Sequence, residues 1–429
     1  MHPHRATSRI ALAVAAALAV AGYAAPAYAA SPVTVKDVVL NIGSTSAERN
    51  VAWLAQGGET VKCAQYAKSS QGFDKATTVH ASALGTAYEQ PWTYFHATMT
   101  DLKPSTTYVY RVGDCATRWS TPYTFRTRDN GSFNFLVYGD PQVYQATATN
   151  DPGAGWAKTL SQSTTQFPGT DFLMTEGDQV DAYTPAAQTP QWDIFLAPKQ
   201  LTQYALAPVV GNHDNANGTS TQWSEHFAVP NETPYGRTVG DNGDYSFVYN
   251  NALFMVLNTN SLDVAAHETF MKAAINANKG TAWQIVSFHH APYSSADHPS
   301  DADVTYLRTN LTPVLSKLGV DLVLNGHDHD YARSNLMAGT SIVPSSNGST
   351  VKAADGQTLY IATNSSSGGK FYALTGPYPW TAKTNQENVA NYTNVEVNGG
   401  KIVVTTYRST DNSVVDAVTL KQLVGLANE

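Results

Sequence analysis

Five short segments combine metal-capable side chains with turn residues: Gly139-Asp140-Pro141-Gln142, Gly177-Asp178-Gln179-Val180-Asp181, Gly211-Asn212-His213-Asp214, His289-His290-Ala291-Pro292 and Asn325-Gly326-His327-Asp328-His329. Carboxylates, an amide and several imidazoles make a mixed oxygen and nitrogen donor set. Such a set suits Zn, Mn or Fe better than Cu(I), which favours sulfur, or Ca, which favours oxygen alone. The chain has only 2 cysteines, so a Cys-built metal site is excluded. The donors are numerous enough for two ions. Two cations about 3.5–4 Å apart, sharing one carboxylate, would generate hydroxide at neutral pH and clamp both oxygens of a phosphoryl transfer. Asp178, in a Gly-Asp turn midway through the series, is the candidate bridge. One Gly-Asp or one strand-end His is ordinarily a turn or a satisfied polar residue; five in order describe a site.

Something must bring these segments together. Each follows an apolar run of strand character, at 133–138, 171–175, 204–210, 283–288 and 320–324. Helical patterns at 268–278 and 304–318 fall between strands, as crossovers do. In α/β proteins ligands bind at the carboxyl edge of such strands, so five loops converge there. This predicts an α/β domain of two β-sheets flanked by helices over 129–425. Glycines 139, 177, 211 and 326, beside the donors, allow the backbone to turn sharply. From 33 to 127 the texture is instead short alternating strands with turn signals, the pattern of an all-β sandwich of fibronectin type III or Ig kind. That region, bounded as 30–128, carries no ionisable cluster and reads as scaffold.

Residues 1–29 read as an export signal. His4, Arg5 and Arg9 give a basic start, 10–22 is an Ala/Leu/Val run, and Ala27-Tyr28-Ala29 has the small-x-small cleavage pattern. The run is too short to span a membrane. The chain is therefore expected to be secreted or periplasmic, without membrane partners, and monomeric or weakly oligomeric. Cys63 and Cys115 would there form a disulfide, the alternative being two buried free thiols. A formal net charge of −8 argues against a nucleic-acid-binding surface.

The ordered series Gly139-Asp140, Gly177-Asp178, Gly211-Asn212-His213-Asp214, Val286-Ser287-Phe288-His289 and Gly326-His327-Asp328-His329 resembles the calcineurin-like metallophosphoesterases. The extension through Asp330-Tyr331-Ala332-Arg333-Ser334, together with the β-sandwich, is similar to the purple acid phosphatases and their bacterial relatives. The resemblance implies that Asp140, Asp178 and His329 hold one metal and that Asp178, Asn212, His289 and His327 hold the other. It further implies that His213 contacts the phosphate and that His298 protonates the leaving group, with attack by a metal-bound hydroxide and no phosphoenzyme. Arg333, just past the last ligand, either binds phosphate oxygens or holds its loop by a salt bridge. Two departures stand out. Asp181 occupies the place of the tyrosine that gives the family its colour, and Gln142 the place of a ligating histidine in the wider superfamily. Gln142, Tyr144 or water is expected to fill the gap, and the protein to be colourless or weakly coloured with Zn, Mn or Fe. His289 is preferred over His290 as the ligand, with His290 its neighbour. The expected activity is hydrolysis of phosphate monoesters. The alternatives are a phosphodiesterase or nucleotide-processing enzyme of the same fold, and a binding module that has lost the chemistry.

Overall fold

The strand Phe133–Tyr138 is apolar on both faces and buried along nearly all its length, as strands covered on two sides are. It pairs in parallel with Phe172–Thr175, which pairs in parallel with Ala205–Pro208. On its other side Asn391–Asn398 runs antiparallel. A computed structural model describes Met1 and residues 33–57, 61–233 and 243–423; apart from Met1, the segment read as an export signal lies outside the described residues.

Beyond Ala205–Pro208 the same sheet continues into Val35–Ile42, Arg49–Gln56, Trp92–Met99 and Ser82–Thr86, for eleven strands among the described residues. A seven-stranded sheet faces it. Ala252–Val256, Trp283–Ser287, Leu322–Asn325 and Leu359–Ala362 form its parallel centre. Aromatic rings fill the space between the two sheets. Phe135 stacks on Phe172 at 4.8 Å, Phe247 stacks on Phe254 at 4.6 Å, and Phe254 meets Phe135 edge-on at 5.3 Å. Burying each such ring is worth roughly 1.5–3 kcal/mol. This interior holds the carboxyl ends of both sheets at one edge.

Helices cover the outer faces. Val264–Ala277 and Ala302–Lys317 turn Phe270, Met271, Leu307, Leu311 and Leu315 onto the second sheet, against Met255, Val286 and Val323. Pro152–Gln166, capped by the Asp151 side chain, sets Trp156 edge-on to Tyr138 at 5.2 Å. Asp151 at the cap and Pro152 in the first turn are the sequence signs of this helix start.

The N-terminal β region has a second sheet of its own, Thr77–His80, Cys63–Lys68, Thr107–Gly113 and Tyr123–Arg126. Cys63 and Cys115 are joined in a disulfide. The region is nonetheless continuous with the α/β domain. The described residues from Val33 onward make one compact body, and Val35–Ile42 pairs in parallel with Ala205–Pro208 at Asn41 and Leu206. The Asn50 amide donates to Ala228 O at 2.9 Å and the Tyr110 hydroxyl to Thr202 O at 2.9 Å. The sequence texture changes near residue 128, and the main sheet crosses that point.

Candidate metal centre

The donor-bearing residues follow the strands Phe133–Tyr138, Phe172–Thr175, Ala205–Pro208, Trp283–Ser287 and Leu322–Asn325, all at one edge. Their turns are tight. A Cβ on Gly211 would lie 2.0 Å from Asp178 Oδ1, and Gly177, at φ 92°, would place one 2.5 Å from His289 Nδ1. Only glycine fits at either position. Asp140, Asp178, His327 and His329 themselves have positive φ, of 36°, 50°, 75° and 48°. Such backbone costs on the order of 1–3 kcal/mol per residue and persists where the surroundings over-determine it.

Buried carboxylates do the over-determining. Asp214 accepts from Gly211 N at 2.8 Å, Gln179 N at 2.9 Å and Val180 N at 3.3 Å, so two donor loops are tied together. Asp328 accepts from the backbone N–H groups of Ala296, Asp297 and His298 at 2.7–2.8 Å and fixes the turn that carries His298. Asp140 takes the N–H of His327 at 2.8 Å, and Asp178 takes that of His213 at 2.9 Å.

The side chains then converge. Asp140, Asp178 and His289 each offer an atom within 4.8 Å of the others, all three buried. His289 Nε2 lies 3.3 Å from Asp178 Oδ2, 2.8 Å from Asn212 Oδ1 and 3.1 Å from His327 Nδ1. His329 Nε2 lies 3.6 Å from Asp140 Oδ1. Outer contacts select tautomers. His289 Nδ1–H donates to Glu176 O at 2.7 Å and His329 Nδ1–H to Lys370 O at 3.0 Å, which turns both Nε2 atoms toward the carboxylates. This is the arrangement of ligating imidazoles held from behind.

The electrostatics demand positive charge. Burial, with Asp178 close by, pushes the Asp140 carboxyl well above the usual carboxylate range. Burial works the same way on Asp178, but His289 and His213 override it and hold that group below its ordinary value. Burial opposes a charged His289, yet Asp178 and Asp140 raise it to about 10. Burial pushes His329 down to about 3. Two carboxylates thus compete for one imidazolium amid neutral imidazoles. His327 Nε2 and Gln142 Oε1 are buried without hydrogen-bond partners. The donors fit cations of the Zn, Mn or Fe type.

The sequence-based candidates fall into two groups. Asp140, Asp178, Asn212, His213, His289, His327 and His329 lie together, and His298 stands at their side, its ring 4.3 Å from that of His327. Gln142 reaches the same cluster, its amide donating to Asp178 Oδ2 at 3.1 Å. His290 is buried beside His289 but bonds Thr259 at 2.8 Å. Asp181 contributes its carbonyl, which accepts from His213 Nδ1. Tyr144 does not fill a ligand position: its hydroxyl is held by Gly369 O at 3.3 Å and the Asn150 amide at 2.9 Å.

Arg333 takes the loop-holding alternative. It is 4% exposed, and its guanidinium pairs with Asp416 at 2.7 Å and Gly348 O at 3.2 Å, where Tyr331 also bonds Asp416. Arg333→Met leaves Asp416 with the Tyr331 hydroxyl but without its cation. It is expected to destabilise the fold by roughly 1–3 kcal/mol, the cost of a lost charged hydrogen bond at a partly buried pair, read as a lowered Tm, with KM for a phosphate ester unchanged below the transition.

Tyr183 was not foreseen. Its hydroxyl accepts from Asn212 Nδ2 at 2.9 Å and lies 2.8 Å from His213 Nε2, and its ring stands 3.9 Å from the His213 ring. Because Asp181 O takes the His213 Nδ1 proton, the phenol donates to Nε2, and this chain turns Asn212 Oδ1 toward His289. Tyr183→Phe keeps the ring contact and loses the relay. The variant is expected to bind metal roughly 10- to 100-fold more weakly, the usual effect of removing an outer-shell partner, as measured by titrating Mn or Zn into metal-free protein.

Comparison with known proteins agrees with this geometry. Residues 35–127 match the purple acid phosphatase N-terminal domain, and residues 133–331 match the calcineurin-like phosphoesterase family. Purple acid phosphatase 15 of Arabidopsis thaliana is 29% identical over 276 residues, 58% of this chain and 51% of that protein. The uncharacterized protein Rv2577 of Mycobacterium tuberculosis is 25% identical over 282 residues, 57% of this chain and 51% of its own length. The chain thus spans about half the length of the curated relatives it matches. The structure of purple acid phosphatase PPD1 from yellow lupin (Lupinus luteus) seeds superposes with a TM-score of 0.74 over 91% of this chain and 75% of that one, at 16% identity, which speaks to the fold. Sequence match, fold and converging donor loops together identify residues 133–331 as a calcineurin-like phosphoesterase domain, behind a purple acid phosphatase N-terminal domain at 35–127, which is a purple acid phosphatase-like arrangement.

Proposed function

We propose that the protein is a metal-dependent phosphatase that hydrolyses phosphate monoesters outside the cytoplasm. The observation that carries this reading is the buried meeting of Asp140, Asp178 and His289 within 4.8 Å, where five strand ends converge. Asp140, Asp178 and His329 would hold one ion and Asp178, Asn212, His289 and His327 the other, with Gln142 beside the shared carboxylate. Two such ions, Fe, Zn or Mn, would acidify a water and offset the charge of the phosphoryl group.

The chain's own groups do the rest. His213 Nε2 faces Asp178 at 3.8 Å beside the Tyr183 hydroxyl, and with a proton on Nε2 turned to the substrate in place of that hydroxyl it would contact a phosphoryl oxygen. His298 has its Nδ1 bound to Asp301 at 2.7 Å, so its other nitrogen is the one free to give a proton to the leaving oxygen. Export, to a secreted or periplasmic location, belongs to the same proposal. It is supported by the basic and apolar start of the chain and by the Cys63–Cys115 disulfide.

The test is a pair of rates, on a monoester and a bis-ester of one chromophore, with and without added Mn or Zn. Faster, metal-dependent turnover of the monoester is expected. Faster bis-ester turnover would mean a phosphodiesterase, and no turnover of either would mean a binding module.

A further inference from the structure

A cleft of about 450 Å³ opens beside the candidate metal centre, and asparagine amides are the commonest groups in its walls. Asn212 of the centre and His290, whose ring packs against that of His289, both line the cleft. The other walls include Asn215, Asn217, Thr259 and Asn260. Asp303 is the one carboxylate among the described residues that line it, and no lysine or arginine does. The volume suits a small ligand. A larger cleft, of about 580 Å³, lies at the amino ends of the same strands, by Phe133 and Asp171, away from the donor loops.

The polar atoms are only partly used. Asn215 is 6% exposed and its buried Oδ1 has no hydrogen-bond partner. Asn260 spends its amide N–H groups on Gly211 O at 3.2 Å and Asn258 Oδ1 at 3.0 Å, which leaves its oxygen to accept. Asn217 is exposed, with left-handed backbone at φ 55°. Side-chain amides supply a donor and an acceptor each, which matches hydroxyl groups that also do both. A second phosphate would need a guanidinium or ammonium instead and would here face Asp303.

We propose that this cleft receives the leaving group and selects hydroxyl-rich monophosphates, such as sugar or polyol phosphates, over esters that carry further phosphates. The inference deepens the phosphatase reading and rests on it. The experiment compares kcat/KM for glucose 6-phosphate, fructose 1,6-bisphosphate and p-nitrophenyl phosphate on the full, metal-loaded chain. Glucose 6-phosphate is expected to exceed the bisphosphate about tenfold or more. Asn217→Gly keeps the left-handed backbone and removes the amide. It should lower the ratio of glucose 6-phosphate to p-nitrophenyl phosphate about fivefold, the worth of one hydrogen bond. Asp303→Lys should raise the ratio of bisphosphate to monophosphate, with thermal melting to verify that the variant is folded. Equal use of the two sugar esters, unmoved by either substitution, overturns the cleft assignment while p-nitrophenyl phosphate turnover still supports the phosphatase. No turnover of any ester overturns both.

Discussion

Asp178→Asn is expected to lower kcat/KM for a phosphate monoester by more than roughly 100-fold, beyond what outer-shell substitutions around metal sites cost. Asp178 is the most connected group of the centre. It lies 3.3 Å from His289 Nε2, accepts the His213 N–H at 2.9 Å and takes the Gln142 amide at 3.1 Å. It is buried, and His289 and His213 keep it ionised against that burial. An amide of the same shape keeps the volume and removes the charge that would hold the cations. Steady-state kinetics at saturating Mn or Zn, beside a thermal melt, check this. Activity within a few-fold of the parent would remove Asp178 from the bridging position.

His298→Ala is expected to reduce kcat by about 10²–10⁴-fold on an alkyl phosphate, the range that general acid catalysis supplies, and far less on p-nitrophenyl phosphate. The difference lies in the leaving group: an alkoxide needs a proton as the bond breaks, whereas p-nitrophenolate departs without one. His298 is placed for that task. Asp328 fixes its backbone, Asp301 holds Nδ1 at 2.7 Å, and its ring stands 4.3 Å from His327 and 5.0 Å from Tyr372. Asp301 is a positioning residue by this geometry. Equal losses on both esters would assign His298 to binding rather than proton transfer.

The donor loops were legible in the sequence because each follows an apolar run, and runs of that kind end at one edge of a parallel sheet. The segment at 364–372 follows the strand Leu359–Ala362 at the same edge, and its Lys370 and Tyr372 lie against His329. What escaped depends on partners distant in the chain. Arg333 meets Asp416, and nothing near either residue announces that pairing. Tyr183 lies past Asp181, where only the folded path of the loop brings it back over Asn212 and His213. Asp214 and Asp328 looked like ligand neighbours and act as clamps. Helix Pro152–Gln166 was missed because Ser, Thr, Gln and Gly fill most of it, leaving Trp156 and Leu160 to anchor it. Helix Pro185–Leu196 was missed for a related reason, since it contains Pro190 and has no clear apolar stripe. The continuity of the N-terminal strands with the main sheet rests on a single register at Asn41 and Leu206, which no local pattern encodes.

The central claim is that these loops form one two-metal centre. Metal content of the purified chain, measured together with p-nitrophenyl phosphate turnover before and after chelation and again after adding back Mn or Zn, tests it most directly. Two equivalents per chain, lost and regained together with activity, and reduced in Asp178→Asn, is the predicted result. Turnover that persists after the protein has been stripped of metal, or a chain that takes up no metal and hydrolyses nothing, would contradict it.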